Sequence, residues 1–469
     1  MAFLIGGANT ESAAYQIDNS GLFNDGQSQA LTRTHGASGS TRTFTFSCWV
    51  KFSDPKTGSS ASDCCHGIFA SEEEAGHQFF ISTDEGQIFR IADYQDGSYN
   101  LHLQTNRKFR DHSAWYHFCI IFDTTDGTQG DRCKLFVNGV RETSFSTEVY
   151  PSQNTDLYGN DNQAHFIGRR GGSNTMYFDG YIADVNFIDG TAAAATEFGE
   201  TNDNGVWIPK KYGGSYGNNG FFLEFGNTGT GQGANKFASD TSGNGNHYDT
   251  NNFSGQYQMT DTPTNNFCTL NPLHKSTTDV VLSKGNTEVV SGYSSGWQHC
   301  AATMAVRKGK WYWEAKAETV SATDKTSIGV FQFDTTDVDF IGVTNTDRSS
   351  KGLSGHGAGT GSYAYAHGDI VMCGMDLDNN KVYWGKNGTW FGSLDPAAGS
   401  GSTTQTIDNS NFCVPAVGGY DDSSWELNFG VPQFSISSGN ADANGYGNFE
   451  YSVPSGFYAL CTKNLAEYG

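Results

Sequence analysis

Trp115-Tyr-His-Phe-Cys-Ile-Ile-Phe-Asp123 followed by Lys134-Leu-Phe-Val-Asn-Gly139 decides the fold of the first half of this chain. Aromatic and β-branched residues fill both runs, a loop rich in Asp, Gly and Thr joins them, and Asn-Gly closes the second. Such runs read as paired strands, because rings and branched side chains pack well on a pleated surface. The second half repeats the logic with other letters. Gly309-Lys-Trp-Tyr-Trp-Glu-Ala-Lys316 is one strand, and Lys381-Val-Tyr-Trp-Gly-Lys-Asn-Gly-Thr-Trp390 is a strand ending in an Asn-Gly turn. Asn and Gly reach positive φ at low cost, so Asn387-Gly388 predicts a tight hairpin, as does Asp378-Asn379-Asn380.

Strand signals continue outward from both centres. Thr43–Phe52 alternates as a half-buried strand should, and short runs follow at 67–70, 78–81, 87–91, 100–104, 165–168 and 178–188. Evenly spaced strands with turn residues between them mark a β-sandwich. Residues 191–197 are the one stretch that resembles a helix, and it is too short to hold alone. From 276 onward a second strand series runs through 310–318, 327–331, 370–377, 382–384, 412–417, 425–429 and 457–460. The expected fold class is all-β: two antiparallel jelly-roll sandwiches in tandem. The expected organisation is an arm at 1–30, a first sandwich at 31–200, a Gly- and Asn-rich ordered connector at 201–275, and a second sandwich at 276–469.

Composition agrees with this division. A chain of 469 residues exceeds one comfortable core. Hydrophobic residues make up only 36%, but aromatics reach 14%, and each ring buries a large area. The net charge of −22 argues against a nucleic-acid partner, since phosphate contacts need Lys and Arg. No run approaches the roughly 20 apolar residues of a membrane helix. Met1–Ala8 begins apolar but lacks a basic region before it, so synthesis in a cytoplasm is expected. The ten cysteines show no metal-binding spacing, and mostly reduced, buried thiols are expected.

Residues 12–195 resemble laminin-G-like, or concanavalin A-like, jelly rolls. The resemblance rests on Trp115-Tyr-His117, Phe122-Asp123, Leu135-Phe-Val-Asn-Gly139, Ile167-Gly168 and Phe178-Asp-Gly-Tyr-Ile-Ala-Asp184. The last region resembles SPRY (B30.2) domains through Gly309–Glu314, Ser327–Val330, Gly368–Val371, Gly374–Asp378, Val382–Trp384, Asn387-Gly388 and Leu427–Gly430. Ser20–Asp25, Phe46–Lys51, Phe187–Gly190, Asp240–Asn246 and Asp261–Asn266 look like phrases of marine bacteriophage structural proteins. That resemblance implies a virion-surface role such as a tail fibre or a capsid fibre or decoration, made in a host bacterium. It also implies a homo-oligomer, with a trimer as the first expectation, contacting other virion proteins and host-surface glycans. A soluble glycan-binding lectin is the second reading and a glycoside hydrolase the third.

Candidate sites follow from chemistry. Glycan binding calls for accessible aromatics beside polar groups, which points to Trp390, Tyr363, Tyr365, Tyr420, Asp421 and Asp422. Calcium needs convergent oxygens, which Asp240, Asn244 and Asn246 offer in one loop and Asp123, Asp126 and Asp131 in another. A retaining glycosidase needs two carboxylates about 5 Å apart. Glu314 and Glu318 share a strand face with Lys316 between them, four residue rises apart, so a solvated charged face is expected there instead. His117 and His165 each stand without a second ligand at metal spacing and are expected to be packed, hydrogen-bonded residues. No catalytic residue is expected.

Overall fold

The computed structural model describes residues 4–5, 15–56, 58, 65–74, 76–170, 176–292, 298–320, 326–333, 350–354, 365–401, 407, 409–419 and 422–469. Its strands form antiparallel sheets, and Thr462–Tyr468 is the one α-helix among these residues. The expected helix at 191–197 is a single 3-10 turn, Ala195–Glu197, whereas the true helix lies in a segment without a strong helical pattern. The chain divides into two compact units, residues 11–264 and residues 1–10 with 265–469.

In the unit of residues 11–264, two eight-stranded sheets face each other. The first sheet runs in the order Val140–Arg141, Cys133–Val137, Tyr116–Asp123, Thr43–Phe52, Gly180–Asp189, Ser20–Phe23, Gln258–Met259, with Phe221–Leu223 pairing Gly180–Asp189. The second runs Phe145–Val149, Ser98–Lys108, Ile88–Gln95, His77–Asp84, Gly67–Glu74, Ala164–Ile167, Ala30–Thr34, Asp249–Asn251. Alternation sends Phe44, Phe46, Phe118, Ile120, Phe122, Ile182 and Phe187 from the first sheet against Phe69, Phe79, Ile81, Phe89, Ile91 and Leu103 from the second. The central hairpin pairs Val137 with Phe118 and Cys133 with Phe122, and Asn138 and Gly139 take the positive φ values its turn requires.

Of the residues read as a connector, 201–264 are built into this unit and 265–275 belong to the other. The former supply Phe221–Leu223, Asp249–Asn251 and Gln258–Met259 to the two sheets, and Gly199–Thr201 pairs with Trp207–Pro209. Asp240 bridges Leu223 beside the first sandwich. Residues read as an arm are also strand: Ser20–Phe23 lies in the first sheet, while Leu4–Ile5 pairs in parallel with Met304–Ala305 of the other unit's fold. The expectation that Thr43–Phe52 is half-buried is corrected, since all but its first residue are buried. The outward face of the first sheet is covered by residues 191–216: Thr45 bonds Thr191 and Ala193, and Ala193, Ala195, Phe198, Tyr212 and Tyr216 pack with Cys119, Ile121 and Ile188 of the neighbouring strands.

The unit of residues 1–10 and 265–469 is a second sandwich. One sheet runs Leu270–Lys275, Gln298–Ala302, Phe412–Gly419, Thr326–Phe333, Ser350–Ser354. The other runs Val280–Ser283, Glu288–Ser291, Ser423–Asn428, Lys310–Thr319, Ile370–Asp376, Lys381–Lys386, Thr389–Trp390, with Tyr458–Ala459 beside Lys310–Thr319. Trp311, Trp313, Trp384 and Trp425 lie in the core between them with Ile328, Val330 and Phe331. Tyr312 points to the opposite side and is buried in its turn by Phe267, Phe449 and Phe457. Asn380, Asn387 and Gly388 have positive φ, as the two predicted turns demand. Eight cysteines, at 48, 119, 133, 268, 300, 373, 413 and 461, are buried and free.

Candidate functional site

Most of the polar residues that stand out in the sequence hold chain segments onto sheets. Trp115 donates its indole N–H to Asp261 Oδ1 at 3.2 Å, and the Lys51 ammonium donates to Asp261 Oδ2 at 2.8 Å. Both Lys51 and Asp261 side chains are 1% exposed, so the pair fixes residues 260–262 to the outer face of the first sheet. His117 is equally enclosed. Its Nε2 lies 2.8 Å from Ser47 Oγ, and its Nδ1 accepts the Trp207 indole N–H at 3.1 Å. Burial lowers the imidazole to about 3, so it stays neutral and its proton sits on Nε2. The packed role expected for His117 is therefore observed. His165 is also buried, stacked on His35 with ring centroids 3.7 Å apart.

The two expected calcium loops do not gather oxygens around a point. Asp240 accepts backbone N–H groups from Phe222, Ser242 and Asn246. The Asn244 amide donates to Gly217 and Gly220 carbonyls, and that of Asn246 to Asn218 and Gly220, so these side chains close the turn. In the second loop Asp123 caps Thr125, Asp126 caps Thr128, and Asp131 pairs with Arg141 at 2.7 Å. Among the described residues no group of three or more His, Cys, Asp or Glu is placed to hold a metal ion. Both loops are corrected to hydrogen-bonded turns, the ordinary use of Asp and Asn there.

Of the expected aromatic site of the second sandwich, the three described residues, Tyr365, Trp390 and Asp422, are not brought together. Tyr365 is 1% exposed, its hydroxyl bonded to Thr326, so it is a core residue and not a ligand contact. Trp390 is half-buried on an edge strand and packs edge-on against Tyr312 at 6.4 Å. Asp422 is exposed in the turn before Ser423–Asn428, four strands away in the sheet order and so roughly 19 Å or more from Trp390. Tyr363, Tyr420 and Asp421 lie outside the described residues. Glu314 is a further correction. It is fully buried, not solvated, and accepts the Tyr312 hydroxyl, the Asn428 amide and the backbone N–H groups of Glu450 and Tyr451. Lys316 and Glu318 are half-buried and paired with each other.

What the sequence reading passed over is the outer face of the second sheet in the first sandwich. Phe80, Ala70, Ala92 and Phe166 form a small apolar cluster on it. Three guanidinium groups lie over this floor. Arg170 Cζ is 3.6 Å from the Phe80 ring centre, Arg169 Cζ is 3.9 Å from that of Phe166, and Arg90 Cζ is 5.0 Å from Phe80. Cations are attracted to the negative face of a ring, which fixes these side chains flat on the sheet. Arg90 also donates to Asp84 Oδ2 and to the Tyr99 hydroxyl, each at 2.8 Å. Tyr99 stacks on His102 at 4.4 Å and is 38% exposed. A signal existed in the sequence: Arg169-Arg170 is a double cation in a chain with 28 Lys and Arg, directly after the Ile167-Gly168 motif.

Comparison with known proteins agrees with the fold. Residues 24–197 match the family model described as Laminin_G_3, concanavalin A-like lectin/glucanases superfamily. The first sandwich thus carries a concanavalin A-like domain, a class compatible with carbohydrate binding. No curated protein matches the chain. Among solved structures it is similar to the SPRY domain of human HERC1, at 14% identity over 36% of this chain and 99% of that one, with a TM-score of 0.27. A human SPRY domain matches at 15% identity over 32% of this chain and 94% of that one, with a TM-score of 0.23. The heptameric SAP-like pentraxin from Limulus polyphemus matches at 14% identity over 39% of this chain and 80% of that one, with a TM-score of 0.29.

Proposed function

We propose that this chain is a non-enzymatic surface protein of a bacteriophage virion, a tail fibre or a capsid fibre or decoration, that holds host-surface glycans through its first sandwich. The observation carrying the binding part is an asymmetry between two sheet faces. The first sheet's outer face is covered by residues 193–216 and 260–262 of the chain itself. The second sheet's outer face instead carries the part-exposed Tyr99 ring beside the guanidiniums of Arg90, Arg169 and Arg170, which lie over a buried floor of Phe80 and Phe166, a mix of ring and directional polar groups that suits a sugar. It lies within the part of the chain that matches the lectin/glucanase superfamily.

The virion part is supported by the phage-like phrases. They include Phe46–Lys51, Phe187–Gly190, Asp240–Asn246 and Asp261–Asn266, whose Lys51, Asp189, Asp240 and Asp261 are anchors of this unit. The proposal places the protein on the particle after synthesis in the host cytoplasm, as a homo-oligomer, with a trimer as the working stoichiometry, bound to other virion proteins. Bond cleavage is left out of it because Glu314 is locked by four hydrogen-bond donors and does not face Glu318 across a substrate-sized gap. A soluble lectin is the second reading, favoured by the same sheet face. Electron microscopy of particles with and without the protein separates the two: missing density on the deletion particle is expected, and its presence only in the soluble fraction would select the lectin. A glycan array with the purified chain tests binding itself.

A further inference from the structure

The outer face of the second sheet brings three guanidinium groups together in a strongly acidic chain. The chain carries −22 overall, yet Arg90, Arg169 and Arg170 meet on one floor of Phe80 and Phe166. Arg90 and Arg170 share a single ring, which brings two like charges together. Asp84 answers Arg90 at 2.8 Å, while Arg170 donates to the uncharged sulfur of Met176 at 3.5 Å. Burial and the neighbouring Arg90 lower the Arg170 guanidinium to about 10. Asp84 and Glu72 both act on Arg170, so with Arg169 three guanidiniums share this floor with two carboxylates. In addition, Arg90 Nε and His102 Nε2 are buried without a hydrogen-bond partner among the described residues. The unpaired Arg90 N–H among these three guanidiniums favours an incoming anion. Beside them the part-exposed Tyr99 ring, edge-on to Tyr94 at 5.0 Å, offers a flat apolar surface at the width of a sugar ring.

We propose that this face binds an acidic polysaccharide, with a sugar carboxylate received by Arg90 and Arg170 and the sugar ring resting against Tyr99. Arg169 lies beside them, flat on the Phe166 ring. Planar guanidinium forks match carboxylates in two parallel hydrogen bonds, so a uronic acid is favoured over a neutral sugar by charge and geometry together. The proposal rests on the glycan-binding reading above and narrows it to anionic glycans.

The test uses the full chain with polygalacturonate and a neutral dextran as probes, read by titration calorimetry. Polygalacturonate is expected to bind and dextran not to. Affinity is expected to fall about tenfold in Arg170→Gln and in Tyr99→Ala, to fall by a smaller factor in Arg170→Lys, which keeps the charge but not the fork, and to weaken as salt rises from about 50 mM to about 500 mM. Thermal melts of each variant separate lost binding from lost folding, and the salt dependence of the unaltered protein stands whether or not a variant folds. Binding of dextran alone overturns the proposal and keeps the lectin reading. Binding of neither overturns both. Polygalacturonate binding that Arg170→Gln and salt leave unchanged overturns the site. Self-association abolished by Arg170→Gln, with no glycan bound, assigns the face to an acidic protein surface and also overturns it.

Discussion

At the scale of single residues, this acidic protein uses its carboxylates inward as well as outward. Glu314, Asp261, Asp189 and Asp442 are all buried and each accepts several donors from other segments of the chain, while buried Asp240 closes its own turn and receives Phe222 N–H. A carboxylate has about four acceptor sites, so one side chain can tie several strands or loops. Removing one leaves donors buried and unsatisfied. Glu314→Ala is expected to cost about 3 kcal/mol in urea unfolding, from the stranded N–H groups of Glu450 and Tyr451. Asp261→Ala leaves the Lys51 ammonium buried alone and should cost about 3–5 kcal/mol, much of it recovered when Lys51→Met is added. Equal loss in the single and double variants would show that the ion pair is not what holds this contact. Calcium is a further test. Asp240 already receives three N–H groups, so millimolar calcium should move the melting temperature by no more than about 1 °C. A rise of several degrees reversed by chelator would restore a metal role to that loop.

At the scale of elements, the segment after the jelly roll is what completes it. Strands Tyr116–Asp123 and Gly180–Asp189 bury apolar residues on both faces, and only one face meets the second sheet. A chain ended near residue 200 would lose Trp207, Tyr212, Tyr216 and Asp261 and uncover Ile121, Ile188 and Trp115. Exposed patches of this kind drive aggregation. Residues 11–264 are therefore expected to melt as one cooperative unit, whereas residues 11–200 should precipitate or bind a hydrophobic dye. Cooperative melting of the shorter piece would show that the covering segment adds little. The second sandwich repeats the device, with residues 446–461 laid over Tyr312 and Glu314.

At the scale of the whole molecule, buried ionisable groups set opposing pH trends. Burial raises Asp93 to about 6 and Asp184 to about 7. Their folded values exceed the unfolded ones, so their contribution is full below about pH 4 and is lost as pH rises through 6 and 7. Burial lowers His66 and His165 to about 4 and His117 to about 3. Their contribution is present above about pH 6.5 and is lost as pH falls through 4 and 3. Stability against urea is expected to be greatest between these limits. Asp184→Asn should stabilise the protein at pH 8 relative to pH 5, by about 1–2 kcal/mol after relaxation of the site. His117→Gln should flatten the acid limb. A variant whose pH profile matches the parent would remove that residue from the account.

The sequence by itself determined the two all-β sandwiches. Alternation in Thr43–Phe52 and Lys310–Thr319, and the Asn-Gly pairs at 138–139 and 387–388, are local properties that a strand or hairpin expresses wherever it lies. It also marked Trp115, His117 and Asp261 as special, and Phe178–Asp184 as strand. It did not reveal what these residues meet, because their partners lie up to 241 residues away. For the same reason Glu314 read as a surface charge: period-two logic names the face but not whether a later segment covers it. Tyr365 read as a binding aromatic because ring chemistry is the same in a core and in a cleft. The Arg90, Arg169 and Arg170 face required three strands brought into register, and proximity across a sheet is a property of the tertiary structure alone.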